Sequence, residues 1–265
     1  MATQDIDGNI AGIAEAFVTG RQTATAVADY PGTKPADLSE AYAVQDAAIA
    51  LFGGKVVGWK VGRINPPIEG VNRLTGPIFA AQVFHYDGAT PLPMPIFADG
   101  FGAGESEFLI QVGTQPDPAK TSYTMEEAIA LIGAVHVGIE IASSPFPGIN
   151  ENGPLVTISD FGNNNGLVVG PAIEGWRDID LNAMPVELHV NGERIGAATA
   201  AAMLDGPIGA ARFLFEHMAA RGIVLKPGTW ISSGAVTGVH PVAVGDEVEA
   251  RFDDRFSIRC TITAA

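Results

Sequence analysis

From Lys55 onward the chain is a succession of short runs with strand character: KVVGWKVG, ESEFLIQVG, AVHVGIEIA, GLVVG, VELHVNGERIG, TWISSG and EVEARF, several of them bounded by Gly, Pro or Asp. Two helices interrupt them. One is predicted after Thr124, which with Glu127 makes a capping box, and the other runs through AARFLFEHMAARG with Gly222 as its stop. This is not the regular strand-helix alternation of a doubly wound parallel sheet, so an α+β, sheet-rich domain is expected. Asn191-Gly192 predicts a two-residue hairpin, and Asp253-Asp254 a weaker one. The Pro-rich stretch from Thr90 to Pro95 reads as a connecting loop.

The residues before Lys55 carry a different period. Ile6, Ile10, Ile13, Ala14 and Phe17 recur at helical spacing, with Gly20 as a stop. Asp37 with Glu40 starts a second helix that ends at Gly53 and Gly54. The expected organisation is a small N-terminal helical part over residues 1–54 and a sheet-rich domain over 55–265, which can also be counted together as one domain. With 265 residues, 47% of them hydrophobic, the chain is long enough to bury a substantial core.

Acidic residues outnumber basic ones 30 to 15, giving a net charge of -15 that repels a polyanion, so nucleic acid is excluded as a partner. The start, MATQDIDGNI, has no basic segment, and no stretch reaches the roughly 20 apolar residues of a bilayer span. A soluble, cytoplasmic protein is expected. The single cysteine, Cys260, sits in the alternating run FSIRCTIT and reads as buried filler in a terminal strand.

Three carboxylates stand out. A strand beginning near Glu105, after a Gly-rich turn, places Glu105, Glu107, Leu109 and Gln111 on one face and Phe108, Ile110 and Val112 on the other. Two like charges side by side call for a counter-cation. In AVHVGIEIASS, Val135, Val137, Ile139 and Ile141 make one apolar face, while His136, Gly138 and Glu140 take the opposite one. An isolated ionised Glu140 among apolar neighbours needs a metal or a Lys. Three carboxylate oxygens with waters suit Mg²⁺ or Mn²⁺ better than zinc. His136 is about 13 Å along the strand from Glu140, too far to share an ion, and reads as a structural histidine.

The order of several short segments resembles the 2-keto-4-pentenoate hydratase family of the fumarylacetoacetate hydrolase superfamily. They are AYAVQ at Ala41–Gln45, VVGWKVG with Lys60, GPIFA at Gly76–Ala80, the ESE pair, the strand ending in Glu140, ISDFGNNNGLVVG, the NGE turn and KPGTWISSGAVTGVHPVAVGD. The resemblance implies a mixed β-roll or sandwich, a divalent cation on Glu105, Glu107 and Glu140, and a functional lysine at Lys60. It implies a homo-oligomer in aromatic-compound catabolism that acts on a small 2-oxo or 2-hydroxy-dienoic acid, alone or in complex with a pathway decarboxylase or aldolase. The metal would act as a Lewis acid, Lys60 would add positive charge or move a proton, and Asp160 or a metal-held Glu would take the proton from water.

For substrate binding, the expected groups are backbone amides of a TGPIFA turn centred on Pro77 and Ile78, together with Asn164 and Ser233. Where the family continues after the lysine with Gly, an apolar residue and Thr, this chain has Gly62, Arg63, Ile64 and Asn65, and its usual Asp-Asn pair is Asp160-Phe161. Arg63 reads as a surface arginine, with contact to a second carboxylate on a diacid as the alternative. The expected reaction is hydration, with decarboxylation of the 4-oxalocrotonate type and acylpyruvate hydrolysis as rivals. A non-catalytic assembly subunit is disfavoured by the retention of all three Glu and Lys60.

Overall fold

The computed structural model describes residues 2–265, with side chains from Ile6 onward. The chain begins with α1 (Ala2–Thr23) and α2 (Leu38–Phe52) and continues through β1 (Val56–Ile68), β2 (Val71–Phe79), β3 (Val83–His85), β4 (Leu92–Ile96) and β5 (Phe101–Val112). Then come α3 (Met125–Leu131), β6 (Ile132–Ser144), α4 (Pro154–Ser159), β7 (Asn164–Ala172), β8 (Pro185–Val190) and β9 (Glu193–Thr199). The remainder is α5 (Gly206–Ala220), β10 (Trp230–Ser232), β11 (His240–Pro241), β12 (Glu247–Phe252) and β13 (Phe256–Ala264).

The strands form two mixed sheets. The larger runs β2-β1-β10-β5-β6-β7-β3 with β11 on β5, and the smaller runs β4-β13-β12-β8-β9. Alternation decides how they pack. Phe108 and Ile110 of β5 and Val135, Val137 and Ile139 of β6 face Val186, Leu188, Val248, Ala250, Phe252, Ile258 and Cys260 of the smaller sheet in one apolar core. Cys260 is fully buried there, which pushes its thiol up to about 12 and leaves it as packing. The expected α+β, sheet-rich architecture with an N-terminal helical part is the one found. None of the described helices is long and apolar enough to cross a membrane.

Local signals explain most boundaries. Asp37 accepts a hydrogen bond from the Glu40 amide at 2.8 Å, and Gly53 closes α2 at φ 70. Thr124 and Glu127 complete both bonds of their capping box. Asn191 and Gly192, both at positive φ, turn β8 into β9.

Four expectations are corrected. Gly20 does not stop α1, because it lies inside the helix, where a Cβ would come within 3.2 Å of Pro145. Thr90 to Pro95 is not all loop: Leu92–Ile96 pairs parallel with β13 at the sheet's edge, where proline's missing N–H is tolerated. The glycines before Glu105 are strand, not turn. Gly102 is bare because a Cβ would meet Ile96 at 2.7 Å, and β5 therefore starts at Phe101, with Glu105 and Glu107 well inside it. TGPIFA is likewise strand. Pro77 and Ile78 pair with Trp59 and Gly58 across β1–β2, and Ile78 is buried with Leu109, Leu167 and Trp230.

The N-terminal helices are tied into the sheet by polar side chains. Gln45 donates to the carbonyls of Thr75 and Ile158, each at 2.9 Å, and the Tyr42 hydroxyl accepts from the Thr75 amide at 3.0 Å. From the last turn of α1, the buried Arg21 reaches Asp160 with Nε at 2.5 Å and Nη2 at 3.0 Å, and also meets the carbonyls of Ser143 and Asn164. Its guanidinium lies 4.9 Å from the centroid of the Phe161 ring. Replacing Arg21 by Met strands the buried Asp160 carboxylate and is expected to cost roughly 3–5 kcal/mol. A urea titration checks this. The double variant Arg21→Met/Asp160→Leu recovers a large part of the loss, because no charge is then left buried.

Candidate metal centre

The site sits on the face of the larger sheet turned away from the smaller one. Glu105 of β5 lies directly opposite Glu140 of β6, and Glu107 lies opposite Gly138. Carboxylate oxygens of Glu105, Glu107 and Glu140 come within 4.8 Å of one another, and all three side chains are buried. The convergence expected from the two strand patterns is therefore realised by register. Like charges facing each other across a ladder are destabilising, so the cluster depends on what surrounds it.

Its surroundings are donors. Glu107 Oε2 accepts from the Ser232 hydroxyl at 2.5 Å and the Gly234 amide at 2.8 Å. Glu140 Oε1 accepts from Asn164 Nδ2 at 3.0 Å and faces Lys60 Nζ at 2.9 Å. Lys60 also donates to Asn163 Oδ1 at 3.1 Å, and Asn163 in turn donates to Asn150. One oxygen on each of two carboxylates, Glu107 Oε1 and Glu140 Oε2, is buried with no hydrogen-bond partner. Unpartnered, buried carboxylate oxygens in so close a cluster of Glu side chains fit a hard divalent cation.

Electrostatics agree. Burial pushes the Glu105 carboxyl up to about 7, with Lys60 restraining the rise and Glu140 adding to it. Burial also raises Glu107 well above the usual carboxylate range, and the neighbouring Glu140 and Glu105 raise it further. Burial works against the charge on Lys60, yet the three carboxylates outweigh it and raise its pKa, so the ammonium persists.

The loop that presents Asn163 and Asn164 has an uncommon backbone. Phe161, Gly162 and Asn163 lie in succession at φ 55, 60 and 57. A bulky residue such as Phe161 rarely adopts this region, and such a run persists only where its surroundings fix it. Arg21 fixes it from one side. Gly76 admits it from the other, since a Cβ there would stand 2.0 Å from the Phe161 carbonyl oxygen.

Lys60, Glu105 and Glu107 open onto a cavity of about 560 Å³, a size ordinary for small-molecule sites. Ser233 lines it too, and its buried hydroxyl has no partner. Asn164 supports Glu140 rather than lining the cavity. Asp160, expected as a proton acceptor, is buried away from the cavity with both carboxylate oxygens engaged by Arg21. Pro77 and Ile78 do not reach the cavity either, and Pro77 has no amide hydrogen to offer. His136 is satisfied by the Gly170 carbonyl at 2.9 Å and packs on Trp230. Sequence reading missed Asn163, Ser232 and Gly234. The NNN and SSG runs were the available signals, but they do not say which member points inward.

No protein-family model matches the chain. It is similar to 2-keto-4-pentenoate hydratase of Burkholderia vietnamiensis, with 28% identity over 97% of this chain and 98% of the relative. Among solved structures it is similar to 4-oxalocrotonate decarboxylase from Pseudomonas putida G7 complexed with magnesium and adipate. That similarity has a TM-score of 0.80 at 20% identity and covers 97% and 98% of the two chains. A third similarity is to fumarylpyruvate hydrolase from Pseudomonas aeruginosa in complex with Mn²⁺ and pyruvate, with TM-score 0.56 and 15% identity over 78% of this chain and 89% of that one. The two structural likenesses establish the fold.

Two predictions follow from the buried carboxylates. Glu107→Gln is expected to weaken Mn²⁺ binding at least about tenfold in calorimetry while leaving the metal-free protein folded, because it removes a ligand charge but keeps a side chain of the same shape with an acceptor for Ser232 and Gly234. The second concerns pH. Glu105 holds its proton more tightly folded than unfolded, so its contribution to metal-free stability is present below about 4.5 and lost as pH rises through about 7. A cation requires the proton gone, so the rise in melting temperature on adding Mg²⁺ grows from pH 5 to pH 8. Scanning calorimetry across that range reads it.

Proposed function

We propose that this chain, a relative of the 2-keto-4-pentenoate hydratases with the fumarylacetoacetate hydrolase fold, is a divalent-metal-dependent hydro-lyase. Its reaction adds water to a 2-hydroxy-dienoate or the corresponding 2-oxo-enoate formed in the breakdown of aromatic compounds. The observation that carries this reading is the clustering of Glu105, Glu107 and Glu140 with Lys60, three of which, Lys60, Glu105 and Glu107, line one cavity.

Mg²⁺ or Mn²⁺ on the three carboxylates would supply Lewis acidity towards the keto oxygen of a 2-oxo acid. Lys60 keeps a fixed ammonium beside the same place. Two of its protons go to Glu140 and Asn163, which leaves the third for a substrate oxygen. Negative charge that develops on that oxygen as the dienol becomes the ketone is stabilised in a site prepared for it. Ser233 offers its unpartnered hydroxyl to the carboxylate of the substrate or to the incoming water. With Asp160 held by Arg21, accepting the water's proton falls to a carboxylate of the triad.

Decarboxylation is the second reading, favoured by the full-length likeness to a 4-oxalocrotonate decarboxylase. Both reactions build charge on the same oxygen. Acylpyruvate hydrolysis has less support, since none of the five histidines lines the cavity to activate water. A cytoplasmic homo-oligomer, working beside a pathway decarboxylase or aldolase, fits the same reading. The exposed Ile195 on the edge strand β9 is the kind of surface such an assembly covers.

Purified protein with Mg²⁺ or Mn²⁺ is expected to consume a 2-hydroxy-dienoate with uptake of water. Release of carbon dioxide instead would transfer the assignment to the decarboxylase, and inactivity on a full panel would defeat both. Lys60→Met should lower kcat by about a hundredfold or more while Mn²⁺ affinity is kept or improved, because a competing cation has left the triad.

A further inference from the structure

The cavity has a second charged end. β1 and β2 pair Arg63 directly with Arg73, both of which line the cavity. Like charges in register repel unless something answers them. Asp205 pairs with Arg73 but shares its other oxygen with Arg212 at 2.7 Å. Arg63, exposed on the cavity wall, has no ion pair or hydrogen bond among the described residues.

Between the two ends the wall includes apolar residues such as Val61 and Leu74. Val61 and Gly62 separate Lys60 from Arg63, and Leu74 stands across from Gly62. Three strand residues span about 10 Å. Alternation puts Lys60 and Arg63 on opposite faces of β1, but β10 pairs with that strand only as far as Lys60. Beyond it the loop from Ser233 to Val239 lies along the same edge of the strand, with Gly234 close to the Val61 carbonyl, and this loop, Lys60 and residues 61–65 line one cavity together.

We propose that Arg63 and Arg73 form a subsite for a second, distal carboxylate, so that this site takes dicarboxylic 2-oxo-enoates. The proposal rests on the metal-dependent 2-oxo acid reading above and adds the substrate's far end to it. The metal end receives the 2-oxo acid head, the apolar stretch covers the hydrocarbon, and the guanidinium pair closes on the terminal carboxylate.

The test uses two unreactive ligands with the same head. Calorimetric binding of 2-oxoadipate and 2-oxohexanoate is measured on the whole protein with saturating Mg²⁺, since the pair differs only in the distal carboxylate. The diacid is expected to bind about tenfold tighter, the equivalent of one or two charge-assisted hydrogen bonds, with a preference that shrinks as salt is raised. Arg63→Leu should bring the ratio close to one, and Arg63→Lys should keep part of it. Equal binding of the two ligands by the native protein, or equal weakening of both by Arg63→Leu, overturns the subsite alone. If neither ligand binds, the 2-oxo acid reading falls and the subsite with it.

Discussion

Three carboxylates buried side by side set the terms for the rest of this molecule. Glu105 and Glu140 face each other across the β5–β6 ladder with Glu107 alongside, and one ammonium, Lys60, balances only part of their charge. Desolvation in such a place is expensive and is tolerated only with directed donors. The short strand β10 brings Ser232 to Glu107, and the turn just after it brings the Gly234 amide. Beneath the cluster, Ile78, Leu109, Leu167, Val169 and Trp230 form the apolar bed that keeps solvent out.

The other donors come from a loop that would not hold its shape alone. Phe161 to Asn163 occupy left-handed backbone, and their neighbours Asp160, Asn164 and Asn165 are all gripped by Arg21. Through that grip a helix near the start of the chain settles where Asn163 meets Lys60 and Asn164 meets Glu140. Of the two distal arginines, Arg73 is buried and paired with Asp205, while Arg63 is exposed. Both line the cavity away from the three carboxylates, on strands β1 and β2.

Much of this was legible in residue order. Period-two alternation put Glu105 and Glu107 on one face and Glu140 on another strand's polar face, because side-chain direction in a strand is a local property. Register is not local, so nothing before the structure stated that Glu105 stands opposite Glu140. Asp160 misled for a similar reason. An acidic residue in a matching segment reads as chemistry until the guanidinium that neutralises it is found 139 positions earlier. Gly102 and Pro93 were read by their usual turn preferences. Close packing against Ile96 and an edge position in the smaller sheet overrode those preferences.

The same separation has a temporal side. Arg21 leaves the ribosome long before Asp160, and at usual synthesis rates the interval is on the order of ten seconds. Throughout it, the guanidinium lacks the partners at Asp160, Asn164 and Asn165 that it has in the folded chain. The loop that carries Asn163 and Asn164 can therefore close on Arg21 only after the chain has been translated past the asparagine run.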